Sequence, residues 1–202
     1  MVRTSHNEHS RTASPPLRHE VVLGVTGSIG AYKAADLVRR LREQGCGVTC
    51  VLTKEATQFI TPLTLQALSE RKVYAELFSL EESAVIHTTL ADQADLLLIA
   101  PATANVIGKL ACGLADDLLT CIALATRARI LLAPAMNVHM YEHPTVQENL
   151  ARLARLGHQF IGPERGQLAC GYDAVGHLAD VEQIVRAALR LLRASSTARR
   201  PA

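Results

Sequence analysis

Four stretches of the chain are nearly solid runs of apolar residues, and between them the apolar positions recur at intervals of three and four. Val21 to Val25, Gly47 to Leu52 (GVTCVL), Ala94 to Ala100 (ADLLLIA) and Arg129 to Ala133 (RILLA) have the length and composition of strands covered on both faces. The first stops at Thr26-Gly27-Ser28 and hands over to a helix predicted from about Ile29 to Gln44. Ala31, Ala34, Ala35, Leu37, Val38 and Leu41 form its inner face, and Gly45 ends it. Thr53 closes the second strand and leads into helical stretches through Phe59 and from Pro62 to Leu68. Pro101 and Pro134 stop the third and fourth strands. Helices are expected over Ala104–Leu124, with Gly113 a weak point inside it, over Thr145–Leu156 and over Val181–Leu192. A short strand is expected at His158–Ile161 and an irregular stretch at Gly162–Gly176. Strands alternating with helices predict an α/β fold built on a doubly wound parallel sheet, Rossmann-like or flavodoxin-like, whose ligands sit beyond the carboxyl ends of the strands.

A chain of 202 residues that is 49% hydrophobic can bury one good core. One domain over residues 21–192 is expected. Residues 1–20, rich in Ser, Thr, Arg, His and Pro, read as a disordered leader, and residues 193–202 as an unstructured tail. The net charge of +2 comes from 21 basic and 19 acidic residues scattered along the chain, and aromatics make up only 3%. Neither an electrostatic track nor a set of stacking platforms for nucleic acid is present. No segment reaches the ~18 to 20 continuous apolar residues of a membrane span, so a soluble protein is expected. The five cysteines (Cys46, Cys50, Cys112, Cys121, Cys170) are odd in number and lack C-x-x-C spacing, which argues against disulfides and structural zinc and fits a reducing cytoplasm.

Candidate chemistry gathers at the predicted strand ends. Gly27 and Ser28 lie between a strand and a helix, where backbone N–H groups and the helix dipole can hold a phosphate. The glycines form neither G-x-G-x-x-G nor a P-loop. A mononucleotide phosphate site and a plain turn with a serine cap are equally good readings of that segment alone. Thr103 and Asn105 follow the third strand, and Pro134-Ala135-Met136-Asn137 repeats the proline-stop-and-amide arrangement one strand later, so the two loops can clamp a flat ring. His87 reads either as a capping histidine or as a catalytic base. His139 and His143 form an i, i+4 pair without the glutamate of H-E-x-x-H, so no metal is expected. Cys46, Cys50, Cys112 and Cys121 fall in predicted strands or helices, where a buried role suits them, whereas Cys170 lies on the irregular stretch, where a thiol can close over a pocket.

Taken together, Gly27–Lys33 (GSIGAYK), His87, Ala100–Leu119 (APATANVIGKLACGLADDLL), Pro134–Met140 (PAMNVHM) and Leu168–Gly171 (LACG) resemble the flavin-containing cysteine decarboxylases. The likeness is greatest to the branch acting on phosphopantothenoylcysteine in coenzyme A biosynthesis, and it extends over about Val21 to Leu192. It implies FMN as cofactor, with Gly27, Ser28 and Ile29 at the phosphate region, Thr53 helping, Thr103 and Asn105 on the cofactor, and Ala135 and Met136 against the flavin. It further implies catalytic roles for His87, for Asn137 as the amide that binds the substrate carboxylate, and for Cys170 as a proton donor. In such enzymes the flavin oxidises the thiol side of the substrate so that carbon dioxide can leave, then returns the electrons. The resemblance also implies a homotrimer or an assembly of trimers with the flavin at the subunit interface. A small-molecule acylated cysteine would be the substrate, and a separate ligase protein would act upstream. One departure follows Gly171, where the family pattern runs through glycines to Arg-Met and this chain reads Tyr172-Asp173-Ala174-Val175-Gly176-His177-Leu178. An imidazole offers fewer donors to a phosphate than a guanidinium. A peptidyl-cysteine decarboxylase, a flavin prenyltransferase and a non-catalytic flavin-binding regulatory subunit are the competing readings.

Overall fold

The computed structural model describes residues 19–78, 85–167 and 173–198. The apolar runs form β1 (His19–Val25), β2 (Cys46–Leu52), β3 (Leu96–Ala102) and β4 (Arg129–Pro134), joined by a short β5 (Gln159–Phe160). All pair in parallel, in the order β2-β1-β3-β4-β5. The chain therefore reverses its direction of travel across the sheet between β1 and β3, which is where open sheets of this order bind their ligands. β1 begins two residues ahead of its apolar run because His19 and Glu20 continue the register opposite Cys46 and Gly47.

Two cores flank the sheet, as alternation along a doubly covered strand requires. Leu96, Leu98 and Ala100 of β3 face α1 (Ala34–Glu43), α2 (Pro62–Ser69) and α8 (Val181–Ala198). Leu97, Ile99 and Ala102 face α3 (Ile86–Gln93), α4 (Ala104–Cys112), α5 (Leu118–Ala125) and α7 (Pro144–Arg155). A five-residue α6 (Val138–Glu142) bridges β4 and α7. Burial pushes the thiol of Cys46 up to about 11 and that of Cys50 up to about 12, so both serve as small core residues. Cys112, by contrast, is exposed at the end of α4, away from the buried role its helix suggested.

The remaining departures from the sequence reading have local causes. The helix predicted from Ile29 opens as a 3₁₀ turn, Ile29–Lys33, before α1 proper. The single helix expected over Ala104–Leu124 is two: Gly113 takes φ 70°, ending α4, and Asp117 restarts the chain as α5 with a reciprocal capping box to Thr120. The stretch read as irregular contains an antiparallel pair, β6 (Glu164–Gln167) and β7 (Asp173–His177), whose pairing across the sequence no short turn motif announces. α8 runs past Leu192 to Ala198, with no glycine or proline to stop it before Pro201. No helix among the described residues is long and apolar enough to cross a membrane.

Candidate functional site

The carboxyl ends of β1, β2, β3 and β4 open onto two adjoining cavities that share Ser28, Ala135 and Met136. The first, about 260 Å³, is lined by Gly27, Ser28, Thr53, Glu55, Thr103, Ala104, Asn105 and Val106, with Met140 beyond the shared residues. The second, about 210 Å³, is lined by Ile29, Gly30, Tyr32, Lys33, Asn137, Gly176, His177 and Leu178. Gly27, Ser28, Ile29, Thr53, Thr103, Asn105, Ala135, Met136 and Asn137 thus converge on one cleft from four separate strand ends.

The loops are held by a buried hydroxyl. Thr26, fully buried at the end of β1, donates to the Pro101 carbonyl at 2.7 Å and accepts from the Thr103 N–H at 3.0 Å. It also lies 3.3 Å from Thr103 Oγ1. Thr103 in turn caps α4 through the Val106 N–H. In the sequence Thr26 is marked only as a polar residue directly after an apolar strand. Ser28, in extended conformation, caps the 3₁₀ turn through Gly30 N–H. Gly27 must be a glycine, since a Cβ there would lie 2.4 Å from the Cβ of Glu55. Thr53 is buried, anchored by its N–H to the Val25 carbonyl at 3.0 Å.

Asn137 caps α6, its Oδ1 accepting from His139 N–H at 2.8 Å, which makes the NH₂ the donor end of the amide. The Met136 N–H donates to the Gly176 carbonyl at 3.0 Å, so β7 is tied directly to the loop after β4. That bond brings His177 into the second cavity, with its Nδ1 2.8 Å from the Leu178 carbonyl. His143 caps α7 through Thr145 N–H, a structural use for one member of the i, i+4 histidine pair. Behind α4, Lys109 Nζ lies 2.8 Å from Asp116 and 2.9 Å from Asp117. Burial raises the Asp117 carboxyl, but hydrogen bonds from Lys109 and Thr120 outweigh it and hold the group below the usual carboxylate range.

His87 and Cys170 do not join the cleft in the same way. His87 is the second residue of α3 and lines neither cavity; its Nδ1 is buried and takes no hydrogen bond from the described residues. Cys170 lies outside the described residues. Tyr32, Lys33 and Met140, which lie inside the GSIGAYK and PAMNVHM stretches, line the cleft without a role having been assigned to them, and Glu55 lines it from a turn that no quoted motif covers.

The pocket suits a flavin mononucleotide. The close-approach turn at Gly27, the hydroxyls of Ser28, Thr53 and Thr103 and the N-terminus of α4 supply neutral donors for a phosphate. Ala135, Met136, Val106 and Met140 supply an apolar wall for a ring system. Comparison with known proteins agrees. The sequence model described as "Flavoprotein" matches residues 8–193. The chain is 50% identical over 169 residues to the coenzyme A biosynthesis bifunctional protein CoaBC of Bacillus subtilis (strain 168), covering 83% of this chain and 42% of that protein. It is 46% identical over 170 residues to a probable phosphopantothenoylcysteine decarboxylase of Streptococcus mutans, covering 83% of this chain and 95% of that one. The fold matches a solved PPC decarboxylase variant complexed with pantothenoylaminoethenethiol, with a TM-score of 0.77 at 32% identity over 88% of this chain and 99% of the other. The chain spans about two fifths of the bifunctional relatives and 95% of the Streptococcus mutans protein.

Proposed function

Because the chain belongs to the flavoprotein family, within the group of the phosphopantothenoylcysteine decarboxylases, we propose that it decarboxylates phosphopantothenoylcysteine to phosphopantetheine using FMN, a step of coenzyme A biosynthesis. The observation that carries this reading is the convergence of Gly27, Ser28, Thr53, Thr103, Asn105, Ala135, Met136 and Asn137 on a single cleft at the point where the strand order reverses. Gly27, Ser28, Ile29 and Thr53 hold the phosphate end of the cofactor; Thr103 and Asn105 contact it further along; Ala135 and Met136 lie against its ring.

A cysteine carboxylate has no electron sink of its own, and FMN held by these residues would supply one, taking up two electrons from the thiol side of the substrate and giving them back once carbon dioxide is lost. Asn137 holds the substrate carboxylate through its NH₂ without the full charge of an arginine, which would stabilise the carboxylate against leaving. Cys170 holds the proton that its Sγ delivers to the product carbon. His87 orients the substrate or takes its proton. In the homotrimer that the resemblance implies, with the flavin at the subunit interface, His87, which lines neither cavity of its own chain, serves the cleft of a neighbouring copy. The apolar residues left exposed around the cleft, Ile29 and Tyr32 each at 58% and Met140 at 49%, support burial of this face against another copy.

The test is to record the visible spectrum of the purified protein, add phosphopantothenoylcysteine, and follow phosphopantetheine by mass spectrometry. A yellow protein whose substrate loses the mass of carbon dioxide supports the reading. A yellow protein that ignores this substrate but decarboxylates a peptide ending in cysteine overturns the substrate assignment, and a chain that takes up no FMN overturns the whole.

A further inference from the structure

The cavity that offers the neutral phosphate donors contains one ionisable side chain, and it has the wrong sign for a phosphate. Apart from Glu55, the residues that line it are uncharged, with no lysine or arginine among them. Glu55 is held in place by its backbone. The turn that carries it is anchored by Thr53 N–H to the Val25 carbonyl at 3.0 Å and by Ala56 N–H to the Thr53 carbonyl at 3.0 Å. Its Cβ fills the space that a side chain on Gly27 would need, 2.4 Å from the position of that missing Cβ. Glu55 therefore rests against the Gly27-Ser28 turn that forms part of the neutral cradle. Among the described residues nothing pairs with its carboxylate: its backbone carbonyl accepts from Gln58 N–H, and no ion pair involves its side chain.

Magnitudes make this charge consequential. The N-terminus of a helix such as α4 presents roughly half a positive charge, and hydroxyls and N–H groups add only dipoles. A full negative charge beside that cradle is about twice the half-charge that the helix end presents. We infer that Glu55 sets the charge preference of the flavin site, opposing the phosphate dianion that the neutral cradle gathers and so narrowing the chain's discrimination between FMN and riboflavin. The inference rests on the reading of this cleft as an FMN site. Salt screens the repulsion, so the advantage of a neutral residue at position 55 for FMN is greatest at low salt and shrinks as salt is added.

The experiment uses the full-length chain freed of flavin and titrated with FMN and with riboflavin, following quenching of flavin fluorescence at low and high salt. Glu55→Gln keeps the shape and removes the charge, and Glu55→Ala removes both. For a unit charge facing a dianion through solvent, Glu55→Gln tightens FMN by about three- to tenfold at low salt. Riboflavin affinity stays unchanged, and the gap between variant and wild type closes near ~1 M salt, where the Debye length is about 3 Å. Unchanged FMN affinity in both variants would mean that the carboxylate does not feel the phosphate, and the inference would fall. Weaker binding of both flavins would show instead that Glu55 accepts hydrogen bonds from the ribityl hydroxyls, which also overturns it. A wild-type chain that binds neither flavin overturns the FMN reading itself, whereas one that binds FMN no differently from Glu55→Gln overturns only the role of Glu55.

Discussion

Replacing Thr26 by valine removes a hydroxyl while keeping the shape of the side chain, and that hydroxyl ties the carboxyl end of β1 to the carboxyl end of β3 through its hydrogen bonds. The variant leaves the carbonyl of buried Pro101 without its 2.7 Å donor and the Thr103 N–H without its 3.0 Å acceptor. An orphaned buried group costs about 1 to 3 kcal/mol, so the pair costs about 2 to 4 kcal/mol, given that Thr103 is only half-buried and can recruit water. For a chain of this size, each kcal/mol moves the melting point by about 2 to 4 °C, giving a drop of roughly 5 to 15 °C. Thr26→Ser keeps the hydroxyl and loses one methyl group, at about 1 kcal/mol. Because Thr103 caps α4 and lines the flavin cavity, Thr26→Val also weakens flavin binding and Thr26→Ser restores most of it. The assay is thermal unfolding by circular dichroism at fixed protein and FMN concentrations, since both shift the apparent melting point, with flavin affinity measured alongside. Equal melting points for Thr26→Val and wild type would refute the claim that this hydroxyl couples the two loops.

Asn137→Asp places a negative charge where the substrate carboxylate binds; turnover is abolished while the protein stays yellow, and retained activity in the decarboxylation assay would remove Asn137 from that role. In Cys170→Ser the reaction stalls after carbon dioxide loss, with oxidised enethiol product and reduced flavin visible by mass spectrometry and absorbance; full product at the normal rate would sink the proton-donor assignment. Asp117 is held below its unfolded value of 3.8, so its contribution to stability is present above that pH and is lost as pH falls through the lower folded value. Asp117→Asn, which can still cap α5, costs about 1 kcal/mol at neutral pH and flattens the acid side of the stability profile. An acid profile in denaturant melts that matches wild type would show that the Lys109–Asp117 pair contributes nothing.

The doubly wound α/β class, the four main strands and the motifs at their carboxyl ends were legible in the sequence because each depends on local pattern. A strand covered on both faces is apolar throughout, a helix shows its spacing, and a glycine or proline lies near several of the points where an element stops, although β3 runs through Pro101 to Ala102. Gly27, Ser28, Thr103, Ala135, Met136 and Asn137 could be named for that reason: the positions just past such strands are where free donors point outward. Other features depend on what lies opposite in space, and only the tertiary structure decided them. The need for glycine at position 27 comes from the Cβ of Glu55 on another strand's turn. The role of Thr26 comes from Pro101 and Thr103, brought beside it by β3 pairing with β1 rather than with β2. The pairing of β6 with β7, and the Met136–Gly176 bond that ties His177 to the cleft, are long-range hydrogen bonds with no periodicity to betray them. Local pattern determines where the chain can end a strand, and only the order in which strands pair determines which of those ends share a site.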